Sequence, residues 1–168
     1  MCTAISFKQK DHYFGRNLDL EGSFGETVTV TPRNFPLAFR KMGMLETHYA
    51  MIGMAHIAEG YPLYYDATNE KGLSMAGLNF PGNAVYHPLD PDKYNPAPFE
   101  LIPWLLGQCD SVSQAEKWLE KDCICPPKTP VCICDKRATI KIINNAKAKP
   151  SFILELLFIS SPQYEKIT

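Results

Sequence analysis

Apolar residues in this chain recur chiefly at every second position, in short runs closed by glycine, proline, asparagine or aspartate. That is the pattern of half-buried strands joined by tight turns. Ile5 and Phe7, alternating with Thr3 and Ser6, predict a first strand that starts beside Cys2. Lys10-Asp11 gives a polar turn, and residues 12–17 read as a second strand that returns along the first. After the loop Gly22-Ser23-Phe24-Gly25, the alternation from Thr27 to Thr31 predicts a strand closed by Pro32. Leu37-Ala38-Phe39 is a short strand, and Tyr49 to His56 another. Leu63 to Thr68, the turn Asn69-Glu70-Lys71-Gly72 and Leu73 to Phe80 predict a hairpin.

The pattern then changes. Four prolines make residues 84–99 a long exposed loop, in which Tyr86, Leu89 and Tyr94 serve either as rim contacts for an apolar ligand or as loop packing. Residues 98–107 read as a helix stopped by Gly107, and Asp110 or Ser111 caps a second helix over 113–120. Many strands followed by two helices predict an α+β domain built on a large antiparallel sheet.

Composition narrows the function. The 168 residues suit one domain, and 45% hydrophobic with 21% charged content is globular. A net charge of −1 argues against a nucleic-acid partner held by bulk charge. No basic stretch precedes an apolar one at the start, and the apolar run at 152–159 is broken by Glu155. We therefore expect no signal peptide, no membrane span, and a cytoplasmic chain with reduced cysteines. There is no glycine-rich phosphate loop and no His-Glu-x-x-His metal motif. His12, His48, His56 and His87 accompany no other catalytic residue type and read as packing or surface.

The candidate chemistry lies at the start. Once Met1 is removed, Cys2 carries a thiol and a free α-amino group on one residue, so that nucleophile and base arrive together. Unperturbed, the amine titrates near ~7.7–8.0 and a thiol near ~8.5, both close to neutrality. A second-position cysteine also serves simply as a small residue that permits removal of methionine. The hairpin would return Arg16 and Asp19 toward Cys2, where a cation favours thiolate; the plainer reading of the two is a surface ion pair. Asn79, at a strand end before Pro81-Gly82, is either a turn asparagine or a donor to a developing oxyanion. Leu18, Met51, Ile57 and Tyr65 fit a greasy site and the core equally.

Three stretches occur in order: Met1-Cys2-Thr3-Ala4-Ile5-Ser6-Phe7, Phe14-Gly15-Arg16-Asn17-Leu18-Asp19, and Gly72-Leu73-Ser74-Met75-Ala76-Gly77-Leu78-Asn79-Phe80-Pro81. Together they resemble the choloylglycine hydrolase family, which contains conjugated bile salt hydrolases and penicillin V acylases. The resemblance runs from Met1 to about Glu120, within an N-terminal domain part at 1–122. It implies the N-terminal nucleophile hydrolase fold, an αββα sandwich with antiparallel sheets, here incomplete. It implies an amidase that cleaves glycine- or taurine-conjugated bile salts, with Cys2 as nucleophile. Arg16 and Asp19 would orient and polarise Cys2, Asn79 would help form the oxyanion hole, and Leu18 and Tyr65 would contact the substrate. No cofactor and no metal is implied, and homotetramers are common in the family. Asn79 leans toward the bile salt hydrolases, because penicillin V acylases tend to carry tyrosine there; a penicillin V acylase using the same residues is the alternative. A non-catalytic member without a finished pocket is the alternative of another class.

The tail, residues 123–168, differs in character. All 10 glycines lie within residues 1–107, and the net charge changes from −5 over residues 1–120 to +4 over 121–168. Four of the six cysteines sit in Cys123-Ile124-Cys125 and Cys132-Ile133-Cys134. Three readings fit. One is a truncated or frame-shifted product, and another is a divergent tail with strands at 131–143 and 151–159. The third is a Cys₄ zinc site, although structural zinc sites use longer Cys-x₂₋₄-Cys spacing.

Overall fold

The structure is a computed structural model that describes residues 2–78 and 88–119, and the backbone of two further strands at 131–134 and 140–143. Its centre is a six-stranded antiparallel sheet. Three of the strands, β6 (Met51–Ala58), β7 (Tyr61–Asn69) and β8 (Ser74–Gly77), follow one another as a meander. β3 (Thr27–Thr31) pairs with β6 on one side. β9 (Val131–Cys134) pairs with β8 on the other, and β10 (Ile140–Ile143) with β9. The expected strand over 131–143 is therefore two antiparallel strands, and the expected strand at 151–159 lies outside the described residues.

The β6–β7 turn needs glycine. Glu59 and Gly60 both have positive φ, 51° and 79°, as a two-residue turn matched to strand twist requires. A β-bulge interrupts β6–β7: Ala55 pairs with Tyr64 and Met54 with Asp66, which leaves Tyr65 as the extra residue. The bulge changes which β7 side chains share a face.

Each face of the sheet has its own cover. On one, Met51, Ala55, Tyr64, Ala67, Leu73 and Met75 pack under two helices. A 3₁₀ turn (Pro98–Glu100) leads into α1 (Leu101–Gln108), and α2 (Val112–Lys117) follows. Leu73, Met75, Leu105 and Leu106 are fully enclosed, each worth about 1.5–3 kcal/mol of burial. Ser111 is the N-cap of α2. Gly107 does not stop α1; it lies inside the helix, where a Cβ would come within 3.1 Å of His48 and 3.2 Å of Leu45. Its smallness sets how closely α1 approaches the second hairpin, β4 (Leu37–Phe39) with β5 (Gly43–Leu45). β5 is absent from the sequence-based expectation because Gly43-Met44-Leu45 is too short to show a period.

Tyr94 stacks on Trp118 at 5.9 Å and meets Trp104 at 5.3 Å. Of its two readings, loop packing is the observed one. Leu89 is exposed, and Tyr86 lies outside the described residues. Met51 belongs to the core, and Ile57 is exposed.

The opposite face of the sheet carries the hairpin β1 (Thr3–Lys8) and β2 (His12–Asn17). Its apolar sense is the reverse of the expected one. Cys2 and Ala4 are buried, whereas Ile5 and Phe7 are exposed. The small residues face inward because they lie directly on Ala76 and Leu78, where a large side chain would hold the hairpin off. Phe7 is left to stack on Tyr13 at 5.4 Å on the outer surface.

The α+β class and antiparallel sheets expected from the sequence hold. Among the described residues, no helix is long and apolar enough to cross a membrane.

Candidate active site

The site is built where the hairpin meets β8. Cys2, 6% exposed, immediately precedes β1 and packs in a cluster with Ala4, Ala76 and Leu78, against which Phe14 also lies. Ala4 pairs with Arg16 across the hairpin, so Cys2 and Arg16 lie on one face as diagonal neighbours, roughly 7–8 Å apart at their backbones. The side-chain amide oxygen of Asn17 accepts the Thr3 N–H and ties the chain start to the end of β2.

Arg16 is the buried charge of the site, with a side chain only 5% exposed. Its Nη2 donates to the Gly77 carbonyl at 2.7 Å. Its Nη1 stands 3.8 Å from the Asp66 carboxylate. Neither Nε nor Nη1 has a hydrogen-bond partner among the described residues, which is unusual for buried donors. Asp66 also accepts the Met54 N–H at 3.3 Å. Burial pushes the Asp66 carboxyl up, and the Met54 N–H and Arg16 oppose that rise. The Asp66 carboxylate stands behind the guanidinium on the side away from Gly77.

An open cavity of about 810 Å³ adjoins the hairpin, with Arg16, Leu18, Phe14, Val28, Met54 and Asp66 in its wall. Its lining mixes these apolar side chains with Arg16 and Asp66 and with Ser23, Glu26 and Thr68. Leu18 lines it, and Tyr65 does not. Tyr65 is the bulge residue on β7, and burial, with Glu26 nearby, raises its hydroxyl. Asp19 lies on the exposed loop after β2. Asn79 lies outside the described residues; Leu78, next to it in sequence, packs in the cluster of Cys2.

The site residue that sequence reasoning missed is Asp66. It lies 50 positions from Arg16 in a stretch that reads as an ordinary strand, and only the pairing of β7 with β8 brings it under the hairpin. The other free thiol whose surroundings are described, Cys109, is different in kind. Enclosed at the end of α1, it is pushed up to about 12 by burial and by Asp110. His12 bonds Ser6 at 2.7 Å toward the far end of the hairpin, and His48 contacts the Tyr49 and Phe35 carbonyls under α1. Among the described residues, no three histidine, cysteine or acidic side chains group as a metal site; Cys123 and Cys125 lie outside them.

Comparison with known proteins gives this arrangement its relatives. The chain is 58% identical over 121 residues to the bile salt hydrolase/transferase of Lactiplantibacillus plantarum, a match covering 72% of this chain and 37% of that one. The crystal structure of the C2A mutant of conjugated bile acid hydrolase from Clostridium perfringens superposes with a TM-score of 0.76 at 27% identity, covering 99% of this chain and 60% of that one. The chain thus spans well under two thirds of the curated relative. A short stretch of 35 residues is 51% identical to ribosomal RNA small subunit methyltransferase H of Clostridium botulinum, 11% of that protein. The profile of the linear amide C–N hydrolases, choloylglycine hydrolase family, matches residues 2–156, well past the expected limit near residue 120. With a buried cysteine at the chain start, a guanidinium beside it and a profile match across most of its length, the chain belongs to the choloylglycine hydrolase family.

Proposed function

We propose that this chain is a cysteine amidase of the bile salt hydrolase type, acting on glycine- or taurine-conjugated bile salts. After loss of Met1, the α-amino group of Cys2 takes the thiol proton, and the thiolate attacks the amide carbonyl. The C–N bond then breaks, the α-ammonium returns the proton to the leaving amine, and a thioester remains. Water, deprotonated by the same amine, releases the acyl group and regenerates the thiol. Arg16 and Asp19 orient and polarise Cys2, and Asn79 donates to the oxyanion, a contribution of about 10²–10³ in rate for one such donor. Leu18 contacts the steroid from the cavity wall, and a contact from Tyr65, which lies off that wall, needs the steroid to reach beyond it. The cytoplasm as compartment and a homotetramer as assembly belong to the same reading.

The observation that carries this is the buried Cys2 on the same hairpin face as a guanidinium that donates to Gly77 and faces Asp66. The similarity to the Lactiplantibacillus bile salt hydrolase/transferase supports the substrate class. The test is amine release from glycocholate and taurocholate by the purified chain, with Cys2→Ala as blank. Release above the blank is expected. Activity that persists in Cys2→Ala removes the mechanism, and release of phenoxyacetate from phenoxymethylpenicillin alone moves the substrate class to penicillin V. A folded chain with no release on any of these substrates is the non-catalytic member.

A further inference from the structure

The row of residues that crosses the sheet beneath Cys2 leads to a second cysteine. Across β7, β8 and β9, Asp66 pairs with Ala76, and Ala76 with Cys132. Directly paired residues of antiparallel strands lie on one face of a sheet, with Cβ atoms roughly 4.5–5.5 Å apart. Which face this is follows from the neighbours. Ala76 packs in one cluster with Cys2, Ala4 and Leu78, and Asp66 stands by Arg16. Met75, one position before Ala76, belongs instead to the core under the helices. Cys132 is therefore on the hairpin face, one strand over from the alanine in the Cys2 cluster. Cys134 shares that face two positions on, in register with Ser74 and farther along β8.

The hairpin turns its first strand toward the same side. The cavity wall holds Phe14 and Arg16 of β2 with Val28 and Met54 of β3 and β6, and no residue of β1. β1, which follows Cys2 directly, is thus on the side of the hairpin away from β3 and β6, toward β8 and β9. Stacked sheets lie about 10 Å apart with ordinary side chains between them. Cys2, Ala4 and Ala76 are all small, which lets the hairpin settle closer. Close approach is what a disulfide needs, because it joins cysteines whose Cα atoms come within about 4.4–6.8 Å.

We propose that Cys2 and Cys132 form a redox pair, in which hydrogen peroxide oxidises Cys2 and Cys132 captures it as a disulfide. In the first step the Cys2 thiolate attacks one peroxide oxygen. The O–O bond breaks, leaving a sulfenic acid on Cys2 and releasing hydroxide. In the second step the Cys132 thiolate attacks the sulfenic sulfur. An S–S bond forms, the S–O bond breaks, and the departing hydroxide takes up a proton as water. In sum two thiols are oxidised and one peroxide is reduced to two waters. Peroxide is little larger than water, which suits a cysteine only 6% exposed. Without a partner thiol, a sulfenic acid goes on to sulfinic acid, which a dithiol does not reverse. Under the proposed function the disulfide blocks the nucleophile, and its reduction restores it.

The test uses the purified full chain, reduced, freed of reductant, treated with hydrogen peroxide at low protein concentration and digested without reduction. Mass spectrometry with fragmentation is expected to show the Cys2 peptide bonded through Cys132 within one chain, and dithiothreitol should restore the Cys2 thiol. In Cys132→Ser that bond is absent, and the Cys2 thiol recovered by dithiothreitol after the same exposure falls at least fivefold, with sulfinic acid in its place. Cys132→Ala should repeat the result, which separates loss of the thiol from any disturbance of the strand by serine. Cys134→Ser should match the parent. The inference is overturned if Cys2 in the parent stays unlinked, if it is linked to Cys134 or another cysteine, or if the bond forms only between chains. Recovery of Cys2 in Cys132→Ser as full as in the parent overturns it too. The readout is a covalent bond and not amide turnover, so a chain that forms the bond but releases no amine from conjugated bile salts loses the proposed function and keeps this inference.

Discussion

Cys2 shares one face of a hairpin with Arg16. The two-residue spacing from Cys2 to Ala4 and the pairing of Ala4 with Arg16 put thiol and guanidinium on one side, and both facts can be read from the sequence once the hairpin is drawn. Asp66 cannot be read that way, because Leu63-Tyr64-Tyr65-Asp66 carries no sign of which of its residues a bulge will turn inward. Under the proposed function, Asp66 acts through Arg16 as a positioning residue. Asp66→Asn is expected to lower kcat about tenfold, or about 1.4 kcal/mol of barrier, with KM little changed. Asp66→Glu should recover part of the loss. A further readout is alkylation of Cys2 against pH. Loss of a merely neutralising carboxylate would ease thiolate formation, whereas a displaced Arg16 shifts the alkylation profile to higher pH. A fall in kcat with the alkylation profile unmoved would remove the positioning role.

The elements were legible where their alternation was long and opaque where packing overrode it. β2, β3 and β4 appear at the expected residues. The hairpin was predicted with Ile5 and Phe7 as its apolar positions, but the tight seat over Ala76 selects Cys2 and Ala4 instead. Gly107 reads as a helix stop, yet it lies inside α1, where a Cβ would press within 3.1 Å of His48.

One joint between elements depends on a single side chain. Buried Asn69, the last residue of β7, donates to the Leu106 and Cys109 carbonyls at 2.7 and 2.8 Å. It accepts the Lys71 and Leu73 N–H groups, both at 3.0 Å. Asn69→Ala strands all four groups at once and should cost about 2–4 kcal/mol, measured by urea unfolding.

A second joint is charged. Arg33 and Glu70 pair side by side, and Glu70 also accepts the Ala50 N–H at 3.1 Å. The pair holds the Glu70 carboxyl at about 2, below its ordinary 4.5. A carboxyl lowered in the folded state contributes stability above its unfolded value and loses it as pH falls toward the folded one. The thermal midpoint of the parent should therefore fall between pH 4.5 and 2 by more than that of Glu70→Gln; equal slopes would exclude the pair as a source of acid sensitivity.

At the scale of the molecule, β6, β7 and β8 are adjacent in sequence and in space, whereas the β1–β2 hairpin reaches the sheet through contacts some 60 residues away, such as Arg16 to Gly77. The sequence disclosed the first relation, because turns between neighbouring strands have composition signals. It hid the second, because nothing local says which face of a sheet a distant hairpin will choose. The family's start motifs were nonetheless plain, since they lie within single strands and turns.

The difference between local and distant contacts has a kinetic side. Contacts of short sequence separation form early and those of long separation late, and late-docking units open at lower free energy. Native-state amide exchange should therefore be slowest along β6 and β7 and faster by at least tenfold along β1 and β2; equal protection would mean a single cooperative unit. On this view Cys2 is among the last residues to leave water as the chain folds, and under the proposed function that interval is when Met1 would be removed.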